Sequence, residues 1–191
     1  MERARKSKQK PSLDSILFSS AEQRLLRFLL TEPTTAFSPR VLSSKLKGVR
    51  GLGGADGIIK ILHQLEEVGL VQFVNNGREA KLQNDNMAVQ ILKTISAVCD
   101  LEGLAQQLRD LSKKGILFGA QAEGLADSDS AYEIYVVSEA PEDVRRVVSK
   151  HPLGKRIEVT SVEVDEYVQI SRTSPGLATQ LDNGLVLWGS G

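Results

Sequence analysis

Residues 115–137 read GILFGAQAEGLADSDSAYEIYVV and decide the fold of the second half of the chain. The short apolar run at residues 116–118 ends at Gly119, which predicts a buried strand that enters a tight turn. A polar stretch rich in Gly and Asp follows. Residues 132–137 become apolar and β-branched, which is typical of a second strand. We therefore expect a strand, a turn and a strand.

This pattern resembles the signature of the minimal nucleotidyltransferases, in the DNA polymerase beta superfamily. In that family the first strand runs into Gly-Ser, a later glycine follows, and an Asp-x-Asp pair opens the second strand. Residues 117–119, Gly124 and the pair Asp129-Ser130 fit the pattern. The resemblance covers about half of the chain, and it implies a small α/β domain with a mixed sheet.

The residues that carry the chemistry of that family are replaced. Ala120 stands at the position of the serine, and Ala131 and Glu133 stand at the positions of the aspartates. Side chains i and i+2 of a strand share one face, so an Asp-x-Asp pair can direct two carboxylates at one Mg²⁺ ion. Ala131 has no ligand atom, and Ala120 has no hydroxyl for a phosphate. The positions are vestigial, and we expect no bound metal or cofactor.

Two other carboxylate arrangements stay open. Asp127 and Asp129 form an Asp-x-Asp pair of their own, but they lie in a turn, and a turn rich in Ser and Asp needs no metal. Glu158 lies in a later expected strand and could supply a further carboxylate. If the chain is an enzyme after all, these residues and Glu133 would hold Mg²⁺ or Mn²⁺.

Composition separates the chain into two halves. It has 191 residues, of which 41% are hydrophobic and 25% are charged, as in ordinary globular proteins. Residues 1–84 hold 14 Lys and Arg against 8 Asp and Glu, whereas residues 85–191 hold 10 against 16. This asymmetry favours a polyanion as partner of the first half. Cys99 is the only cysteine, and we expect it to be buried. We find no membrane span or signal peptide and expect a cytoplasmic protein.

The first half begins with a basic stretch, residues 1–11, for which we expect a flexible arm. Ser19-Ser20-Ala21-Glu22 predicts a capping box at the start of a helix. Ser38-Pro39 predicts the start of a second, short helix. A glycine-rich turn follows, and Ile58, Ile61 and Leu65 lie at the spacing of a third helix.

The segment after the third helix predicts a hairpin. Asn75-Asn76-Gly77 lies between the short expected strands 71–74 and 78–82, and Asn-Gly is a strong hairpin signal. Three helices and a hairpin resemble a winged helix-turn-helix regulator, and residues 65–71 resemble the end of its recognition helix. The resemblance implies that the third helix enters the major groove of DNA while the hairpin lies near the backbone.

On this basis, eight residues are candidates for contacts with DNA. The third helix offers Lys60, His63 and Gln64 to the bases, and the phosphate contacts come from cations before and after it. These cations are Lys45, Lys47, Arg50, Arg78 and Lys81. The alternative is that this domain contacts a protein, because winged helices also mediate protein contacts.

The remaining sequence completes an α+β protein: a winged helix-turn-helix domain at residues 12–84, a connector helix at 85–99 and a nucleotidyltransferase-like domain at 100–191. Asp100 and Gly103 predict a break between the connector and the next helix. We further expect helices at 141–150, 164–170 and from Ser174-Pro175, with strands at 156–162 and 185–188. His151 is expected to be an ordinary loop residue.

Three functions follow from these patterns. The first is a DNA-binding transcriptional regulator, dimeric through the apolar face of residues 87–98, whose second domain has lost catalysis and binds a nucleotide, a protein or another copy. The second is an active, metal-dependent nucleotidyltransferase of unusual type. The third is an antitoxin-like module whose acidic half binds a basic protein.

Overall fold

The structure, a computed structural model, describes residues 11–189. The expected basic arm at residues 1–11 lies outside the described residues, except for Pro11. The described part consists of helices with a hairpin, followed by helices around a mixed sheet, so the chain is of the α+β class.

Helices and one hairpin form the first part of the chain. Their bounds are α1 Leu13–Leu17, α2 Ala21–Thr31, α3 Pro39–Lys45, α4 Gly54–Glu67, β1 Val71–Val74 and β2 Glu79–Leu82. The short helix α1 was not expected from the sequence. The predicted capping box is wrong by one residue, because Ser20 caps α2 and exchanges hydrogen bonds with Gln23. A Gln three residues after the cap can replace Glu in this motif.

The hairpin forms where the Asn-Gly signal predicted it, with β1 and β2 antiparallel. Asn75 and Asn76 have positive φ angles of 53° and 57°, which asparagine tolerates better than most residues. Arg78 lies in the turn rather than in the strand, which corrects the expected bound. Phe37, from the segment before α3, forms an antiparallel bridge with Ala80 on β2. The hairpin is thereby attached to the helices.

A four-stranded mixed sheet forms the centre of the second part. Its elements are β3 Lys114–Phe118, α6 Gly119–Glu123, β4 Tyr132–Val137, α7 Pro141–Lys150, β5 Ile157–Val162, α8 Val164–Thr173, α9 Pro175–Asp182 and β6 Leu185–Trp188. The strand order is β5-β4-β3-β6, in which β4 and β5 are parallel and the other pairs are antiparallel. The strands and helices expected in this part are therefore present, with small shifts of their ends.

One continuous helix, α5 Met87–Leu108, joins the two parts and corrects the expected break. Gly103 is exposed and nothing crowds the position of its missing side chain. A glycine within a helix costs about 1 kcal/mol relative to alanine, and the burial of Leu101, Leu104 and Leu108 exceeds that cost. The domain boundary expected between residues 99 and 100 therefore lies inside a helix.

Helix α5 contributes to the hydrophobic cores of both parts. Val89 and Cys99 belong to the core of the helical part, whereas Leu101 and Leu104 belong to the core between the sheet and helices α5 and α7. A third, smaller core lies on the opposite face of the sheet, under α8 and α9. Because α5 lies in two cores, it connects the helical part to the sheet.

Candidate functional site

The vestigial positions of the sheet lie around the ends of β3 and β4. Gly119 and Ala120 begin α6 directly after β3, and Ala131 precedes β4. Glu133 on β4 pairs in register with Phe118 on one side and with Glu158 on the other. The strand pairing therefore brings Glu133 and Glu158 into one row of the sheet.

The carboxylate of Glu133 lies over the start of α6. Gly119 has a φ of +66°, and a Cβ built on it would lie only 1.9 Å from Oε2 of Glu133. Glycine is favoured here by its backbone conformation, and a larger residue would also displace the flexible Glu133 carboxylate. Glu158 is exposed, and neither glutamate forms an ion pair within residues 11–189.

This arrangement leaves a metal with few protein ligands. Ala131, two residues before Glu133 and directly before β4, offers no oxygen ligand. Residues 11–189 contain no group of three or more His, Cys, Asp or Glu side chains that could hold a metal ion.

Asp127 has a structural role in the turn before β4. Its Oδ1 accepts hydrogen bonds from the Ser130 hydroxyl at 2.7 Å and from the Asp129 amide at 3.1 Å. The hydrogen bond from Ser130 lowers the pKa of the Asp127 carboxyl group. Asp129 is exposed at the tip of the same turn. Asp127 thus stabilises the turn through these hydrogen bonds.

A groove crosses the helical part between α3, α4 and the turn of the hairpin. Its volume is 620 Å³, and its lining includes Arg40, Ile59, His63, Phe73 and Arg78. The groove therefore lies between the helix and the hairpin that the sequence predicted to contact DNA. Arg40, at the start of α3, was missed by the sequence analysis.

His63 links α4 to the hairpin. Its ring lies 4.7 Å from the ring of Phe73, centroid to centroid, and its Nδ1 lies 3.4 Å from Oε2 of Glu66. The side chain of Glu66 also accepts a hydrogen bond from the Phe73 amide at 3.4 Å. His63 thus packs against the hairpin, although the residue as a whole is exposed.

The cations expected to contact phosphates are accessible. Lys45, Lys47, Arg50, Lys60 and Arg78 are exposed, and Lys81 is half-buried on β2. Within residues 11–189 none of these six forms an ion pair. Gln64 is also exposed on α4. The six cations are therefore available to an external anion.

Helix α4 itself is not basic. Its exposed side carries the carboxylates of Asp56, Glu66 and Glu67 against the ammonium group of Lys60. The positive charge near this surface therefore comes from residues before and after the helix.

The apolar face expected at residues 87–98 is largely used within the chain. Leu92 and Ile95 pack against the core of the helical part. Met87 and Ile91, one helical turn apart, remain 69% and 54% exposed. The surface available to a second copy is therefore smaller than the sequence indicated.

Comparison with known proteins gives one partial match. No protein-family model matches the chain, and no curated protein matches it. A crystal structure of a mutant of the toxin-antitoxin MntA-HpeT matches with 21% identity and a TM-score of 0.33, over 47% of this chain and 73% of that one. This match does not establish a family.

Among residues 11–189 we find no helix with the length and apolar character needed to cross a membrane.

Proposed function

We propose that this protein binds double-stranded DNA through its helical part, in the manner of a winged helix-turn-helix regulator. The observation that carries the proposal is the groove shared by α4 and the hairpin turn, with His63 and Arg78 in its lining. Lys60 and Gln64 extend the exposed side of the same helix. In this docking mode α4 enters the major groove and the turn at Arg78 lies against the backbone.

The packing of the hairpin supports this proposal. The bridge between Phe37 and Ala80 and the contact between His63 and Phe73 attach the hairpin to α3 and α4. A helix and a hairpin held in fixed relation can contact bases and phosphates of one duplex at the same time. Such preorganisation reduces the entropy lost on binding.

Attraction to the phosphates would come from the flanks of α4. Lys45, Lys47 and Arg50 precede the helix and Arg78 follows it, whereas the helix itself exposes more carboxylates than cations. We therefore assign affinity to the flanking cations. Base recognition is assigned to Lys60 and Gln64 on the helix.

We further propose that the sheet domain is nucleotidyltransferase-like and catalytically inactive. Residues 114–137 form β3, the short helix α6, a turn and β4, rather than the expected strand, turn and strand, and the two antiparallel strands with the sheet around them support the likeness. The absence of a hydroxyl at Ala120 and of a carboxylate at Ala131 supports the loss of activity. Its remaining role would be to bind a ligand or a partner.

A symmetric dimer completes the proposal. Two recognition helices related by a two-fold axis would bind half-sites about one helical turn apart. Met87 and Ile91 are the exposed apolar side chains on α5 that we assign to the seam.

Two triple variants with the same charge change test DNA binding. Three cations before α4 are changed to Gln in the first variant, and three exposed cations of the sheet domain are changed in the control. The first set is Lys45, Lys47 and Arg50, and the control set is Lys150, Lys155 and Arg172. Neither set forms an ion pair within residues 11–189.

Fluorescence anisotropy of a labelled duplex at several salt concentrations is the readout. Each lost phosphate contact reduces the magnitude of the negative slope of log K against log salt by about 0.9, so the first triple variant reduces it by up to about 2.7. The control triple leaves the slope almost unchanged, because its cations lie outside the interface. Equal losses in both variants would contradict the proposal, as would the absence of DNA binding in the unmodified protein.

Two single variants separate base recognition from phosphate contact. Gln64→Ala changes which sequences are enriched from a random duplex pool. Arg78→Ala weakens binding to all duplexes by a similar factor and leaves the enriched sequence unchanged. An unchanged preference in Gln64→Ala would exclude Gln64 as a reader of bases.

A further inference from the structure

A polar cavity lies where the helical part meets the sheet domain. We call it the junction cavity. Its volume is 150 Å³, and its walls come from the end of α2, from α5 and from the segments around α6, β4 and β5. A single water needs roughly 10–15 Å³ on this measure, so the space admits a small molecule.

Lys93 of α5 lines this cavity and is only 6% exposed. Its Nζ donates to Oδ1 of Asn84 at 3.3 Å, and that acceptor is neutral. No carboxylate within residues 11–189 lies within ion-pair distance of it. Burial lowers the pKa of the Lys93 ammonium group, and the charge of Asp127 acts in the opposite direction. A buried ammonium group without an anion is costly.

Arg156 supplies a second cation to the wall. Its Nη2 donates to the carbonyls of Ser128 and Ser130 at 3.0 and 3.3 Å, and its guanidinium lies 5.5 Å from the ring centroid of Tyr132. These contacts hold the guanidinium in place at the cavity. Ser130 also accepts a hydrogen bond from Gln121, another residue of the wall.

The carboxylates of the wall are already engaged. Asp100 accepts from Arg27 at 2.6 Å and from the Tyr132 hydroxyl at 2.9 Å. Asp127 accepts from the Ser130 hydroxyl and the Asp129 amide. The charge of Asp100 is compensated by Arg27, whereas Asp127 has only neutral donors and acts on Lys93 from beyond ion-pair distance.

We propose that the junction cavity binds a small oxoanion, of the size of phosphate or a short carboxylate, between Lys93 and Arg156. The anion would accept hydrogen bonds from the ammonium and guanidinium groups and compensate the buried charge of Lys93. Its binding would connect α5 of the helical part to the segment before β5. The site is separate from the row of Glu133 and Glu158, and the inference does not depend on DNA binding.

Thermal unfolding and titration calorimetry of the full chain test the site, with inorganic phosphate and acetate as separate probes. Lys93→Met removes the charge, and Lys93→Gln keeps a donor for Asn84 without the charge. Lys150→Met, on the exposed side of α7, is the matched control.

At millimolar concentrations, phosphate or acetate raises the melting temperature of the unmodified protein and of the control and gives a saturable heat of binding. Both Lys93 variants lose at least tenfold in affinity. Without added anion Lys93→Met melts higher than the unmodified protein, because no charge is then buried. The two probes show which anion is preferred.

Three outcomes would overturn the inference. One is that neither probe binds. Another is an equal rise in melting temperature in all four proteins, since phosphate also stabilises proteins through exclusion from their surface. The third is a Lys93→Met variant that is destabilised without anion and binds the probes as the unmodified protein does, which would make Lys93 a purely structural residue.

Discussion

Replacing Arg27 should loosen the attachment of the first two helices to α5. Its guanidinium contacts Asp14 of α1 at 2.8 Å and Asp100 of α5 at 2.6 Å, and it also donates to the Ser96 hydroxyl. The Arg27 side chain is 14% exposed, so most of this network is shielded from water. Arg27→Met removes the charge and keeps much of the aliphatic stem.

The two ion pairs differ in their expected contributions. Asp14 is 43% exposed, and such a pair contributes about 0–1 kcal/mol. Asp100 is 24% exposed, and a hydrogen bond to a charged group contributes about 1.5–3 kcal/mol. We therefore expect Arg27→Met to lower the free energy of unfolding by about 3 kcal/mol. In a chain of this size that corresponds to a fall of roughly 6–12 °C in melting temperature.

Denaturant unfolding followed by circular dichroism measures this loss, and the single tryptophan, Trp188, reports separately on the sheet domain. Arg24→Met is the control, because Arg24 is exposed on the same helix and forms no ion pair within residues 11–189. We expect it to change stability by less than about 0.5 kcal/mol. A double-mutant cycle with Asp100→Asn should give a coupling of about 1–2 kcal/mol. Equal effects of Arg27→Met and Arg24→Met would refute the reasoning.

Three further predictions concern the sheet domain and α5. Gly115→Ala should destabilise the protein by about 1–3 kcal/mol in thermal unfolding, because the Cβ of the new alanine would lie 2.2 Å from the buried ring of Trp188. Unchanged stability would show that the ring can move away. If the protein forms the proposed dimer, changing both Met87 and Ile91 to Glu should make it monomeric in light scattering at tens of micromolar. A monomeric unmodified protein would exclude the dimer. The protein should transfer no label when it is incubated with labelled nucleoside triphosphates, Mg²⁺ or Mn²⁺, and candidate proteins and RNAs. Transfer of label to a protein or RNA that is lost in Glu133→Ala would instead establish nucleotidyltransferase activity.

Local signals predicted much of the fold. The Asn-Gly turn of the hairpin depends on backbone preferences of a few adjacent residues, and it forms at the expected place. Strand β3 depends on a short apolar run that ends at Gly119, and this run also predicted the strand from the sequence alone. The shift of the helix cap from Ser19 to Ser20 is an error of one residue between two similar hydroxyl side chains.

Contacts between distant residues explain what the sequence did not show. Asp100, where a break was expected, lies inside α5, and its carboxylate accepts hydrogen bonds from Arg27 and Tyr132, 73 and 32 residues away in the chain. The alignment of Glu133 with Glu158 depends on the register of two parallel strands. No local pattern indicates such a register.

Binding of the full chain to a labelled duplex, measured by anisotropy as salt is raised, tests the central claim most directly. If the cations around α4 contact several phosphates, affinity falls by an order of magnitude or more between about 50 mM and about 200 mM salt. An absence of binding at the lowest salt concentration would contradict the account, and so would an affinity that does not change with salt.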